Sequence, residues 1–357
     1  MRKALLFLTL VVISFCFGIK TSAATEVDEF ISEFEEITPE GFLDELEVGR
    51  IVEMLGVEGI LRRLIAVLSG ERSRVLSFFL LLLGVIITSS LVNLVSTELA
   101  ESVRAVVGIL SSVAIFHTIS ALVNEVFLSL NKINEFFSSF IPISIAITAF
   151  GGGESTAVTQ GSGMYVTLSL LSRASGTVFS SICSFGLSAA LLSPLGGQIV
   201  SSLTSAVKSI FTRVLGIFTA VITAAFSLQT LVSSSVDGAS MRAARYIASG
   251  LIPVVGSTVS GALSTLASGM SYAKGIIGGG GVAVILFFAI TPLVILLLFR
   301  LALSASIGVS QMLCAECERM LVAYRSALDM SLAVYALSTL VYLFEIIVFI
   351  KSGVNLL

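Results

Sequence analysis

The sequence predicts an all-α, polytopic α-helical membrane protein with an N-terminal signal peptide. Three observations support this prediction: an apolar composition, charge concentrated in one segment, and repeated apolar stretches long enough to cross a bilayer. Of the 357 residues, 56% are hydrophobic and only 12% are charged, and the mean hydropathy is +1.05. A soluble globular domain carries about 25% charged residues because its surface meets water. Most of this chain's surface must therefore meet lipid.

The charged residues are distributed unevenly along the chain. Thirteen of the 23 acidic residues lie between Thr25 and Arg74, so the net charge of −3 averages an acidic head with a nearly uncharged body. No basic block with interleaved aromatic residues is present in the sequence, and this argues against a nucleic-acid partner.

The N-terminus has the features of a secretory signal. Arg2 and Lys3 form a short basic region, the apolar run Ala4–Ile19 follows, and small residues precede Ala24. The apolar run is near the length of a signal peptide and short for a membrane span. We predict a signal peptide over residues 1–24 that is cleaved near its end, and an uncleaved anchor helix is the alternative.

Residues 25–74 are predicted to form an acidic, exported, amphipathic helical segment. Apolar residues recur at helical spacing at its start, with carboxylates on the opposite face: Val27, Phe30, Ile31 and Phe34. Thr38 and Pro39 are a helix-start signal. We expect this segment to lie outside the cytoplasm and to pack on the membrane body or on a partner chain.

Residues 75–357 are predicted to form a transmembrane domain of six to eight spans. Stretches of spanning length lie at roughly 75–96, 105–129, 164–192, 214–234, 282–303 and 331–350. Two further stretches, 136–150 with Pro142 and 246–270 with Pro253, could be full spans or broken, re-entrant helices. The small residues in 164–192 and 246–270 predict close packing against protein on most sides, as in a bundle interior or a homo-oligomer.

The orientation depends on how the two ambiguous stretches are counted. If both are full spans and the N-terminal segment is outside, all four arginines near span ends lie in the cytoplasm, as the positive-inside rule favours: Arg242, Arg245, Arg319 and Arg325. If 136–150 is not a span, every later segment lies on the opposite side of the membrane, and these arginines lie outside.

We predict no catalytic, metal or cofactor site, and we expect the protein not to be an enzyme. The single histidine, His117, lies within a predicted span, and Glu125 lies on the same helical face eight residues later. A functional histidine would need such a carboxylate or a metal ion as its partner. We favour a neutral imidazole that is buried in the membrane and hydrogen-bonded to a neighbouring helix.

Two other motifs have plain structural interpretations. Cys314 and Cys317 match C-x-x-C, but a zinc site usually needs a second ligand pair, and residues 310–329 have the pattern of one continuous amphipathic helix. We therefore interpret these thiols as structural or incidental. The glycine runs Gly151–Gly153 and Gly278–Gly281 lack the Lys-Ser or Lys-Thr of a phosphate-binding loop. They are predicted to be flexible joints at the ends of spans.

Ionisable residues inside apolar spans are costly and often functional. The candidate intramembrane polar residues are Glu125, Arg173 and Glu345. They could act as a proton relay or substrate clamp of a transporter, or as structural pairs between helices. We favour the structural interpretation.

The most specific pattern lies in residues 226–266. Its elements are Ser227-Leu228-Gln229-Thr230, Val236-Asp237-Gly238, Arg242 and Arg245, and Ile252-Pro253-Val254-Val255-Gly256. This stretch resembles the corresponding region of the stage III sporulation protein AE family of endospore-forming bacteria. The signal peptide, the acidic exported segment and a polytopic body of similar length extend the resemblance over nearly the whole chain.

Six residues of this stretch form a candidate structural or assembly motif: Asp237, Gly238, Arg242, Arg245, Pro253 and Gly256. The Asp-Gly pair is a turn signal after an apolar span. The two arginines lie on one face of a helix and can contact lipid phosphates or a partner's carboxylates. The proline interrupts the next helix and the last glycine permits close approach of backbones, although a purely structural joint fits equally well.

The resemblance implies a component of a multi-protein assembly that spans the double membrane around the engulfed forespore. It implies a channel or secretion-like apparatus linking mother cell and forespore, with sister membrane proteins as partners and no catalytic residues or cofactors. The chain would be a multi-pass protein of the mother-cell membrane with its N-terminal segment in the intermembrane space. The alternative is a stand-alone secondary transporter or permease whose site is formed by broken helices 136–150 and 246–270.

Overall fold

Helices make up the regular structure of the part of the chain that the computed structural model describes, residues 57–93, 100–150, 154–195, 197–235 and 256–352. They are α1 Val57–Asn93, α2 Ala100–Phe150, α3 Glu154–Arg173, α4 Ser180–Leu191, α5 Gly197–Ser235, α6 Gly256–Leu313 and α7 Ala315–Lys351. A π-helical segment, Ala174–Phe179, joins α3 to α4. Within these ranges no strand occurs, and the predicted all-α class is confirmed. The predicted signal peptide lies outside the described residues.

The chain divides into two units, Met1–Ala66 and Val67–Leu357. Of the first unit only residues 57–66 are described, and they form the beginning of α1. Most of the acidic segment predicted over residues 25–74 therefore lies outside the described residues. The helix α1 continues past Arg74, where the sequence predicted a boundary. The contacts described below all belong to the second unit.

Six helical stretches in the described residues are long and apolar enough to cross a membrane. They are Leu61–Val92, Ser102–Phe150, Thr156–Leu191, Ser202–Ser227, Ala273–Leu313 and Ala315–Lys351. The third runs through α3, the π-helical segment and α4. A span needs ~20 apolar residues, and these stretches have 26 to 49. These six stretches indicate a multi-pass membrane protein, as the sequence predicted.

The two ambiguous stretches are not separate broken helices where the structure describes them. The helix α2 continues through Pro142 to Phe150, so residues 136–150 extend the preceding span. Proline removes one backbone hydrogen bond, whereas an interruption in lipid exposes several unpaired backbone groups. Continuing the helix is the smaller cost. Of the stretch 246–270, residues 256–270 form the first part of α6 and the rest lies outside the described residues.

The prediction that Gly278–Gly281 form a flexible joint is wrong, because they lie inside α6. In lipid the helix keeps its backbone hydrogen bonds, and glycine remains helical. A methyl group added to Gly278 would collide with the side chain of Ile350 in α7, and one added to Gly281 would lie 3.0 Å from that of Ile346. The glycines therefore let α6 and α7 approach closely. The other run, Gly151–Gly153, lies outside the described residues.

The helices α6 and α7 form an antiparallel hairpin whose turn is Cys314. Two contacts show that the helices run in opposite directions. Arg300 of α6 pairs with Asp329 of α7, and Lys274, earlier in α6, donates to the carbonyl of Ser352, which lies later in the chain. The bundle therefore has two ends, the Cys314 end, which holds this turn, and the Ser352 end, where α7 ends.

The last helix is the most enclosed of the six spans. We compared how much of the most apolar stretch of each span is buried inside the bundle. This buried share is 56% for α7, 39% for the span Thr156–Leu191 and 11% for the span Ser202–Ser227. The small-residue stretch 164–192 was predicted to be packed on most sides, yet large side chains there face outward, among them Val166, Val178 and Phe185. Small residues allow close contact along one face of that span, whereas α7 is contacted on several sides.

We predict that Gly278→Ala lowers the melting temperature of the detergent-solubilised protein, whereas Gly279→Ala leaves it unchanged or raises it. A methyl group on Gly278 would lie 2.7 Å from Cδ1 of Ile350, and overpacking of this kind costs roughly 1–3 kcal/mol. At Gly279 a methyl group meets no atom within 4 Å, and alanine gains up to about 1 kcal/mol in helix propensity. Equal shifts in the two variants would contradict the close packing of α6 on α7.

Candidate functional site

Three tyrosines of α7, Tyr324, Tyr335 and Tyr342, form a row that we call the tyrosine ladder. Their spacings of eleven and seven residues are close to whole numbers of helical turns, so they share one face. All three side chains are fully buried. A buried tyrosine hydroxyl usually finds a hydrogen-bond partner, and each hydroxyl of the ladder meets a polar group of α2.

The rung nearest the Cys314 end ties three helices together. The Tyr324 hydroxyl donates to the backbone carbonyl of Ser112 at 2.8 Å, and the two hydroxyl oxygens lie 2.9 Å apart. The Ser112 hydroxyl also donates to the carbonyl of Leu191 at 3.0 Å. One buried serine therefore connects α2 with both α7 and α4.

The middle rung joins α7 to α2 and α6. The Tyr335 hydroxyl lies 2.9 Å from that of Ser129 and donates to the carbonyl of Phe288 at 3.2 Å. The third rung is a side-chain bond in which the Tyr342 hydroxyl donates to Oδ1 of Asn134. Partners on α2 advance along the chain as the tyrosines do, so α2 and α7 are parallel.

The ladder has the dimensions of a membrane interior. Tyr342 lies eighteen positions after Tyr324, a rise of roughly 27 Å at 1.5 Å per residue. The hydrocarbon core of a bilayer is ~30 Å thick. An unpaired hydroxyl in an apolar medium costs several kcal/mol relative to water, roughly 2–7. The rungs remove that cost and fix the register of α7 against its neighbours.

An ion pair joins α1 to α2. The guanidinium of Arg74 makes two hydrogen bonds with the Glu125 carboxylate, at 3.0 and 2.9 Å, and lies 3.7 Å from the carboxylate of Glu71. It also lies 5.8 Å from the centre of the Phe299 ring. The sequence singled out Glu125 but placed Arg74 outside the first span, so the partner was missed.

A second ion pair, between Arg300 of α6 and Asp329 of α7, lies within the hairpin. Asp329 was not identified as a candidate residue from the sequence. The two residues lie fourteen and fifteen positions from Cys314. Opposite charges at equal distances from a turn become level when the helices fold back on each other, and that symmetry is the signal that could have revealed the pair.

The other predicted polar residues lie in different surroundings. Arg173 ends α3 and is exposed, whereas Glu345 is fully buried in α7, three residues after Tyr342. Since Glu125 is held by Arg74, the structure does not bring the three predicted residues together. The side chain of His117 is exposed on α2, because Ile115 and Ile119 occupy the face of that helix that packs inward. No hydrogen bond from His117 to another helix occurs among the described residues, so that part of the prediction is wrong.

The predicted assembly motif lies almost wholly outside the described residues. Gly256 is the first residue of α6, and the other five motif residues belong to 236–255. Among the described residues, no group of three or more His, Cys, Asp or Glu side chains could hold a metal ion. The continuous helix predicted over residues 310–329 is interrupted, because Cys314 has an extended backbone and caps the start of α7.

We predict that Tyr342→Phe destabilises the protein in detergent by roughly 0.5–2 kcal/mol, the range of hydrogen bonds between membrane helices. The change leaves Oδ1 of Asn134 without this donor in a buried site. The control is Tyr165→Phe, since the Tyr165 side chain is 46% exposed. Thermal unfolding measures both, and an equal effect of the two substitutions would show that the ladder contributes nothing to stability.

We also predict that Glu125→Gln loosens the contact of α1 with α2, because the Arg74 guanidinium loses its anionic partner on α2. The reversed pair, Arg74→Glu with Glu125→Arg, should recover much of the lost stability. Glu135→Gln is the matched control, since Glu135 is an exposed carboxylate of the same helix. Limited proteolysis in detergent reports the loosening, and unchanged digestion of Glu125→Gln would argue against a structural role for the pair.

Comparison with known proteins gives one finding. The family model of stage III sporulation protein AE matches residues 39–353, which is most of the chain. No curated protein and no solved structure shows significant similarity to this chain. The match includes the whole bundle described above and the region with the predicted assembly motif. The chain therefore belongs to the stage III sporulation protein AE family.

Proposed function

We propose that this protein is a scaffold subunit of a multi-protein channel or secretion-like complex that connects mother cell and forespore during endospore formation. It acts there in the mother-cell membrane, with its N-terminal segment outside the cytoplasm, and it performs no enzymatic reaction. Family membership supports the role in sporulation, and six apolar helices support the location in a membrane.

The observation that carries the scaffold role is the tyrosine ladder. Its hydroxyl groups are engaged by α2 and α6 across the thickness of a bilayer. A transporter that works by rocking one group of helices against another needs a polar site that changes partners. The ladder instead fixes several helices in one register, and this suits a rigid part on which other subunits assemble.

The outer surface of the bundle supports an environment of lipid and partner proteins. Large apolar side chains with more than half of their surface exposed occur on several helices, among them Leu80 in α1, Leu110 in α2, Ile217 in α5 and Leu301 in α6. Acyl chains or the apolar helices of sister subunits suit such a surface. We propose two kinds of partner for this apolar surface: further copies of this chain in a homo-oligomer, and the sister membrane proteins.

The test is purification of the tagged protein from sporulating cells, followed by identification of the membrane proteins that remain bound. We expect a defined set of sporulation membrane proteins to co-purify with the wild-type chain. Arg242→Glu together with Arg245→Glu should release this set and reduce spore yield by at least an order of magnitude. Arg242→Lys with Arg245→Lys is the matched control, because it retains both charges, and it should behave as the wild type.

Two results would overturn the proposal. One is a wild-type chain that purifies alone from sporulating cells while spores form normally. The other is flux of a solute in liposomes that contain only this chain, if Glu125→Gln abolishes the flux. That second result would establish the stand-alone transporter.

A further inference from the structure

The turn between α6 and α7 carries two cysteines in an arrangement that the sequence interpretation did not anticipate. Cys314 has an extended backbone, with φ −157° and ψ 102°, and its sulfur accepts the backbone N–H of Cys317 at 3.4 Å. The sulfur therefore lies over the first turn of α7. The thiols were interpreted as structural or incidental because a continuous helix was expected, and α6 in fact ends at Leu313.

The two thiols also contact each other. The Cys317 thiol interacts with the Cys314 thiol and with the hydroxyl of Ser89 in α1. The remaining cysteine in the described part of the chain, Cys183, lies in α4, and its thiol interacts with Ser331. None of these three cysteines forms a disulfide bond. Among the described cysteines, only the two at the turn interact with each other.

We propose that Cys314 and Cys317 are a reversible dithiol–disulfide site at the Cys314 end of the bundle. A C-x-x-C pair at the start of a helix is the arrangement found in dithiol redox motifs. A disulfide needs Cβ atoms about 3.5–4.5 Å apart, closer than the ~5–6 Å of two residues three apart within a helix. Because Cys314 is the extended cap, its side chain can move toward Cys317 without unwinding α7.

The residues that flank the two buried cysteines at the turn are exposed. Each cysteine is 4% exposed, but Met312 beside the turn is 89% exposed, and Ala315 and Glu316 are also exposed. The thiols thus lie one layer beneath the surface of the bundle end. Opening this turn exposes them while the tyrosine ladder remains intact.

The chemistry is thiol–disulfide exchange with an external disulfide such as glutathione disulfide. One thiol of the pair loses its proton, and its thiolate attacks a sulfur of glutathione disulfide and displaces one glutathione thiolate. The second cysteine, as thiolate, attacks the mixed disulfide, forms the Cys314–Cys317 bond and displaces the second glutathione thiolate. The two protons lost by the pair balance the two glutathione thiolates. The protein is oxidised by two electrons and glutathione disulfide is reduced to two thiols.

The experiment treats the purified full-length protein in detergent with glutathione disulfide, alkylates free thiols, and analyses the peptide that contains both cysteines by mass spectrometry. We expect this peptide to have lost two hydrogen atoms and to carry neither an alkyl group nor glutathione. Dithiothreitol should restore both thiols. Cys183→Ser is the control, and it should give the same result because Cys183 takes no part.

The variant Cys314→Ser tests the assignment of the pair. Serine is a favoured helix cap, so the turn should keep its fold, and circular dichroism checks that it does. In this variant Cys317 should be alkylated or should carry glutathione. The proposal is overturned if the folded wild type keeps both thiols, or stops at a mixed disulfide, under conditions that oxidise the pair in the chain unfolded with detergent and urea. A bond between two chains instead of within one would also overturn it.

Discussion

The bundle depends on one constraint: three tyrosine hydroxyls must find hydrogen-bond partners where no water is present. Tyr324, Tyr335 and Tyr342 lie on one buried face of the last helix, and each is met by a polar group of α2. Without a hydrophobic drive between helices in lipid, packing and such bonds hold membrane helices together. The register of the last helix, and through it the positions of α2, α4 and α6, follows from satisfying these groups. The close approach of α6 at its glycines completes this packing.

Much of the architecture could be predicted from the sequence because spanning length and apolarity are local properties. The all-α class, the polytopic body and the family follow from the apolar stretches and from residues 226–266. The continuity of α2 through Pro142 could not be predicted in this way. It depends on comparing the loss of one backbone hydrogen bond at the proline with the cost of several unpaired backbone groups that an interrupted helix would expose to lipid. The same applies to the glycines inside α6, whose role is set by the side chains of the neighbouring helix.

The candidate site was harder to predict because its members are distant in the sequence. Glu125 could be recognised as an unusual intramembrane carboxylate, but nothing near it in the sequence identifies Arg74, which lies 51 residues earlier. The tyrosines of α7 are visible as a periodic row, yet a row of aromatic residues is usually only core. Their partners Ser112, Ser129 and Asn134 become meaningful once α2 and α7 are known to be parallel neighbours.

The proposed role places this bundle within a larger membrane assembly. A scaffold needs a core that does not rearrange and an outer surface that other apolar chains can contact, and the structure divides its residues in this way. Three tyrosine hydroxyls and two ion pairs join neighbouring helices, while many leucine, isoleucine and valine side chains are exposed on the outside. Family membership indicates a role in sporulation. The geometry of the bundle supports the proposal that this role is that of a scaffold.

The parallel register of α2 and α7 is tested most directly by cysteine cross-linking in native membranes, in a chain whose own cysteines are replaced by serine. Cysteines at Ser112 with Tyr324, and at Asn134 with Tyr342, should each form a cross-link, whereas the crossed combination of Ser112 with Tyr342 should form none. Efficient cross-linking of the crossed combination, or none in either matched pair, would contradict the ladder and the bundle that depends on it.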